Sequence, residues 1–163
     1  MRRAAGPAAD ERAAARRASV ACRQPEDDYA QEIEEQKKKY FKSGSPPTIE
    51  ETVAFYRAQK IGLVMFTVDT EFEIGRRRIP NEEVLEVARA NSDMMMAFGS
   101  VDPHKGKMGL REVKKLIADG ISGFKFHPST QGFMPNDRAA YPLYEAIQEA
   151  GVPALFHTGQ TGV

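Results

Sequence analysis

The sequence predicts an α/β fold: a parallel sheet buried on both faces and built from about four consecutive βα units. Two observations carry this. Four short apolar runs, starting near residues 61, 94, 121 and 152, recur at roughly thirty-residue intervals without the alternation of a half-solvated strand. Between them lie segments with apolar residues at helical spacing, bounded by capping and stop residues. Strands and helices alternating in this way form crossover units, not hairpins.

Taken in order, residues 1–25 read as a basic leader, expected to be disordered. Arg2, Arg3, Arg12, Arg16, Arg17 and Arg23 stand against Asp10 and Glu11, with no Leu, Ile or Phe to anchor them. The same Arg- and Ala-rich, acid-poor composition suits an organelle transit peptide, but it lacks the apolar stretch of a secretory signal. Residues 26–47 read as a charged helix or linker: Glu32, Glu34 and Glu35 precede Lys37, Lys38 and Lys39 at spacings that pair on a solvated helix. Ser43-Gly44-Ser45-Pro46-Pro47 ends it.

From Thr48 to Val163 the pattern is regular. Thr48 and Glu51 have capping-box spacing and open a helix bearing Ile49, Val53, Phe55 and Tyr56. Ile61–Val68 is the first apolar run and ends at Asp69. Asn81, Glu82 and Glu83 start a helix with Val84, Leu85, Val87 and Ala88; Met94–Val101 follows and ends at Asp102. A third helix carries Leu110, Val113, Leu116 and Ile117 and is stopped by Gly120. Ile121–Phe126 ends at His127. A fourth helix from Tyr141 to Ala150 has Pro142 in its first turn, where a missing N–H costs nothing, and Gly151 after its end. Val152–Phe156 ends at His157.

Composition removes several classes of function. Lys and Arg number 23 and Asp and Glu 23, so nothing in the bulk charge holds this chain to nucleic acid. The longest apolar run is far short of the ~20 residues a membrane helix needs. A single cysteine, Cys22, excludes a disulfide scaffold and suits a reducing, cytoplasmic setting. The partners expected are a small-molecule substrate and a second copy of the chain.

Chemistry is expected at the carboxyl ends of the strands, where parallel α/β sheets place their sites. All four end in polar residues: Asp69, Asp102, Lys125 with His127, and His157. Side chains alternate along Gly123-Phe124-Lys125-Phe126-His127, so Lys125 and His127 share one face while both Phe side chains take the other. Lys125 has two readings, a pocket cation or a structural partner of Asp102 or Asp69. His157 follows a buried run and offers an imidazole nitrogen to a metal or a proton, or a hydrogen bond within the core. His104 is read as a solvated turn residue. Two loops stand out: Ser129–Asp137, expected to expose Phe133 and Met134, and the stretch carrying Arg76, Arg77 and Arg78, expected to be solvated. There is no phosphate-binding glycine motif.

The segments FTVDTEFEIG, FGSVDPHKG, GFKFHPSTQGFMPND, YPLYEAI and PALFHTG, in this order, resemble the amidohydrolase-related family. This is the metal-dependent branch containing aminocarboxymuconate-semialdehyde decarboxylase and γ-resorcylate decarboxylase. The resemblance covers Thr48 to Val163 and implies a (β/α)8 barrel holding a divalent metal, often zinc. It implies hydrolysis or decarboxylation of a small, carboxylated substrate. His157 matches the fifth-strand metal ligand; Asp102, Lys125 and His127 would line the substrate pocket. The family's first-strand HxH pair has no counterpart, because no His precedes His104, and the later ligands are missing too. A complete barrel takes ~250 residues. The expectation is therefore a partial barrel, strands two to five of eight, without metal-dependent turnover by itself. The alternative is a non-catalytic half-barrel serving as an assembly module.

Overall fold

Thr48 and Glu51 cap the first helix reciprocally. The Glu51 N–H donates to Thr48 Oγ1 at 3.1 Å and the Thr48 N–H donates to Glu51 Oε2 at 2.7 Å. Two donors that a helix start would leave unpaired are thus satisfied, and α1 runs Ile49–Ala58. In the computed structural model, residues 48–75 and 77–159 are described, together with Glu35, which is helical. The leader and the rest of the 26–47 segment lie outside the described residues, as does Arg76. The chain divides into two units, Met1–Ala58 with Val163, and Gln59–Gly162.

In the second unit, β1 (Leu63–Phe66), β2 (Met95–Gly99), β3 (Gly123–Phe126) and β4 (Ala154–Phe156) form one parallel sheet in the order β1-β2-β3-β4. The helices between them are α2 (Glu71–Ile74), α3 (Asn81–Ala90), α4 (Lys107–Ala118), α5 (Pro128–Gln131) and α6 (Tyr141–Glu149), with a 3₁₀ turn at Pro103–Lys105. Sequential parallel neighbours joined by helical crossovers are the order expected of a segment of a (β/α)8 barrel. The strands are shorter than the apolar runs that predicted them, because ladder pairing stops before each polar end. Three short elements, α2, the 3₁₀ turn and α5, occupy stretches read as loops. None of the described helices is long and apolar enough to cross a membrane.

Register sorts the side chains. Val64 pairs with Met96, Phe66 with Phe98, Phe98 with Gly123 and Lys125 with Leu155, so these residues share one face. The opposite face carries Met95, Ala97, Phe124 and Phe126, all buried, beneath the apolar stripes of α3 (Val84, Leu85, Ala88), α4 (Val113, Leu116) and α6 (Leu143, Ala146, Ile147). Phe126 is the hub there: its ring stacks on Phe156 at 5.1 Å and meets Tyr144 and Phe133 edge-on. Phe133 is accordingly buried, against the expectation of an exposed loop aromatic, whereas Met134 is exposed. Phe126 supplied the partner that the local sequence did not reveal. Gly123 is required by close approach, since a Cβ there would fall 2.6 Å from the Phe98 ring.

Candidate functional site

The ends of β1 and β2 meet in a buried charged network. Asp69 and Asp102 are fully buried. The Asp69 carboxylate accepts the Asp102 N–H at 2.9 Å and the Lys105 ammonium at 2.7 Å, with the Arg78 guanidinium 3.8 Å away. Lys105 also reaches Glu71 at 2.7 Å, and Arg78 reaches Glu112 at 2.5 Å. Burial alone would push the Glu71 carboxyl up, but the Lys105 hydrogen bond, the Arg78 N–H and both cations outweigh it and hold it below the ordinary 4.5. Arg78 and Lys105, disfavoured by burial, are held above their ordinary values by the same carboxylates. Arg78 is therefore a structural cation, not a member of a solvated loop; it pairs with three carboxylates, Asp69 and Glu71 after β1 and Glu112 on α4.

Two more residues lock this corner. Asn81, expected only to start its helix, does so, but its fully buried amide also brackets Ser100: the Ser100 N–H donates to Oδ1 at 2.8 Å and Nδ2 donates to the Ser100 carbonyl at 2.9 Å. Ser100 Oγ in turn accepts the Asp69 N–H at 3.1 Å. His104 is exposed in its 3₁₀ turn, as expected, but it is also partnered there. Its Nδ1 lies 2.8 Å from Asp102 Oδ1 and its ring stacks on Phe72 at 4.6 Å. Asp102 Oδ1 also caps the 3₁₀ turn through the His104 N–H, while its buried Oδ2 has no hydrogen-bond partner among the described residues.

The ends of β3 and β4 are built differently. Lys125 is 6% exposed, and among the described residues no carboxylate pairs with it. The structural pairing considered for it, with Asp102 or Asp69, does not form; Lys105 and Arg78 occupy Asp69 instead. The Lys125 ammonium lies 5.5 Å from the Phe66 ring centroid, a cation–π contact on the inner face. Burial pushes its pKa down from 10.5.

Two residues further along, the His127 ring stacks on His157 with centroids 4.0 Å apart and planes 7° from parallel. The His157 N–H donates to the Phe126 carbonyl at 2.9 Å, which holds the two strand ends in step. His127 is held below its ordinary 6.5 by burial first, then by His157 and Lys125. Its Nδ1 lies 3.1 Å from Ser129 Oγ. The Nε2 of His157 is buried and has no hydrogen-bond partner among the described residues.

Of the four site residues expected from sequence, the structure thus brings Lys125, His127 and His157 to one edge of the inner face. Asp102 belongs to the neighbouring network. Sequence reasoning missed Gln131, which is fully buried in α5: its Oε1 accepts the His127 N–H at 2.7 Å and its Nε2 donates to the Asp69 carbonyl at 2.9 Å. No local signal marks a glutamine in a polar loop as buried.

These donors do not make up a metal site. The partnerless Nε2 of His157 suits a ligand position, but the near-parallel stack keeps the lone pairs of the two imidazoles from converging on one ion. No group of three or more His, Cys, Asp or Glu among the described residues could hold a metal. A catalytic zinc takes about three protein ligands, so the residues present do not fit a complete centre. In comparison with known proteins, the family model described as Amidohydrolase matches residues 43–163. No curated protein and no solved structure matches.

Proposed function

This chain belongs to the amidohydrolase family, and from that premise we propose that the β3–β4 edge is the substrate-facing part of a hydrolase-type site for a small carboxylated compound. The carrying observation is Lys125, a residue only 6% exposed whose ammonium has no carboxylate beside it among the described residues and shares its face with two stacked imidazoles. A desolvated cation is costly unless an anion reaches it, and a substrate carboxylate is that anion. Phe66 and Phe98 offer the apolar wall for the rest of a small ligand.

His127, biased to its neutral form, can accept a proton from a water or donate one to a leaving group. Asp102 enters as a wall residue that holds His104 in place. His157 is the residue that would take the family's divalent metal, zinc in the usual case, which supplies polarisation of substrate or bound water. Its neighbours among the described residues do not complete the coordination. Hydrolysis is the primary reading; the resemblance to the decarboxylase branch makes carbon–carbon cleavage of a carboxylate the finer alternative for the same pocket.

Benzoate titration followed by NMR tests the reading. Wild-type protein is expected to show saturable shifts at Lys125 and His127, weakened at least about tenfold in Lys125→Met, the size of one charge-assisted contact of about 1.4 kcal/mol or more. Shifts that survive that substitution unchanged would refute the pocket. The incomplete donor set also leads us to expect no metal-dependent turnover from the 163 residues; one tightly bound zinc per chain, lost in His157→Ala, is the contrary result.

A second reading rests on the inner face itself. Val64, Phe66, Met96 and Leu155 on it are 41, 40, 53 and 44% exposed, an apolar surface of the kind that pairs subunits. Light scattering showing a dimer that Met96→Asp converts to monomer would favour assembly as the role of this face. A monomeric wild type removes that reading.

A further inference from the structure

We infer that Gln131 is the positioning residue of the His127–His157 pair, holding the pocket's imidazoles in register by tying them to the charged network two strands away. The inference rests on the reading of the β3–β4 edge as a pocket. Its geometry is a clamp. The Gln131 carboxamide sits between an N–H on one side, that of His127, and a carbonyl on the other, that of Asp69. Only a group that accepts and donates at once satisfies both; a carboxylate lacks the donor and an apolar isostere lacks both.

The Asp69 end is rigid. Its own N–H is held by Ser100 Oγ, its carboxylate by the Asp102 N–H and the Lys105 ammonium, and Ser100 by Asn81. The His127 end is the first residue of a turn folded back on itself. The His127 carbonyl accepts the N–H groups of Thr130 and Gln131 at 3.0 and 2.9 Å. Gly132, in the left-handed region at φ 66°, then ends α5 where a Cβ would run into the Glu73 side chain of α2. The turns that follow β1 and β3 are thereby fastened together across the end of β2.

Gln131 therefore supports the pocket from behind, fully buried, and acts on it through the placement of His127. Functional side chains depend on such supports, because displacements near 1 Å are enough to spoil a site. Among the described residues, the strand ladder, the Ser129 Oγ contact with the His127 ring and this clamp are what hold His127 relative to His157.

The experiment is NMR on the full 163-residue chain, with benzoate as the carboxylate probe. In wild type the 4.0 Å stack should displace the ring protons of His127 and His157 upfield by mutual ring currents. In Gln131→Met, of similar volume, that displacement is expected to fall by more than half, the His127 amide to exchange about tenfold faster, and benzoate affinity to drop several-fold. Unchanged ring shifts and amide exchange in a folded Gln131→Met would overturn the inference. If that variant does not fold, wild type still decides. The His127 amide and the Gln131 carboxamide protons should exchange about tenfold or more slower than the amide of exposed Asn136, and fast exchange of both would overturn it.

The two readings fail separately. Collapse of the stack in Gln131→Met, with benzoate bound by neither protein, leaves the clamp and removes the pocket. Benzoate binding lost in Lys125→Met while Gln131→Met changes nothing leaves the pocket and removes the clamp.

Discussion

At the ends of β1 and β2, Asp69, Glu71, Arg78, Lys105 and Glu112 are joined in a continuous set of ion pairs. At the ends of β3 and β4, Lys125 has no carboxylate beside it among the described residues and His157 keeps a buried nitrogen without a hydrogen bond. Both sets sit on the same edge of one sheet. The first uses its charges to hold the β1–α3 connection to the turn after β2 and to α4. The second leaves polar groups desolvated and uncompensated, a cost that folding alone does not explain and that a ligand would offset. Counting polar strand ends does not separate the two. What distinguishes them is whether the cations already have carboxylates beside them: Asp102 Oδ2 in the first set is also buried without a hydrogen bond, but Lys105 and Arg78 there are paired.

The sharpest way to break this contrast is to remove Asp69. Asp69→Ala leaves Lys105 and Arg78 short of a counter-charge and the Asp102 N–H unpaired, and should cost about 3–5 kcal/mol, measured as a fall in urea midpoint. A loss under about 1 kcal/mol, the scale of an exposed pair, would mean that the network is not the support described. Asn81→Ala comes next. It strands the buried N–H of Ser100, whose carbonyl keeps the Arg78 guanidinium at 3.1 Å, and should cost about 2 kcal/mol by the same measurement.

Lys125→Met should act in the opposite sense. Replacing an ammonium that is partly desolvated and has no carboxylate beside it with a thioether of similar length should stabilise the protein slightly, by less than about 1 kcal/mol, while removing benzoate binding. Destabilisation comparable to that of Asn81→Ala would assign Lys125 a structural partner and erase the difference between the two regions.

The smallest effects are those of pH. Glu71 has a folded pKa below its ordinary 4.5, so its contribution to stability is complete above about that value and is lost as pH falls through the folded value. Glu71→Gln should flatten the acid limb of a plot of Tm against pH below 4.5. His127 is likewise depressed, from 6.5, so the unfolded chain takes up its proton first and stability falls as pH drops from about 6.5 through the folded value. His127→Phe should flatten that limb and leave the Glu71 limb in place. An acid limb that responds only to His127→Phe would mean that Glu71 is not held by its cations.

Much of the architecture was legible along the chain. The Thr48–Glu51 capping box, the start of α3 at Asn81, Pro142 in the first turn of α6 and the Gly120 stop all appear where local rules put them, since each depends on neighbours within four residues. The shared face of Lys125 and His127 was legible for the same reason: alternation along a strand is local geometry. The burial of Phe133, the pairing of Arg78 and the Gln131 clamp were not. Each has a partner 7 to 62 residues away across a turn or between strands. A glutamine, an arginine and a phenylalanine in loop-like stretches carry nothing that says which distant group will meet them.

The sequence by itself determined that this chain alternates strand and helix, that the strands are parallel, and that polar groups collect at their carboxyl ends. Those features follow from hydrophobic period, capping and chirality, all of which act over a few residues. Only the tertiary structure decided which of those polar groups are consumed by folding and which are left over. Arg78 and Lys105 could have been the pocket cations and Lys125 the structural one; pairing depends on which charges the crossovers bring within about 4 Å, and that distance is set by the packed sheet, not by the order of residues.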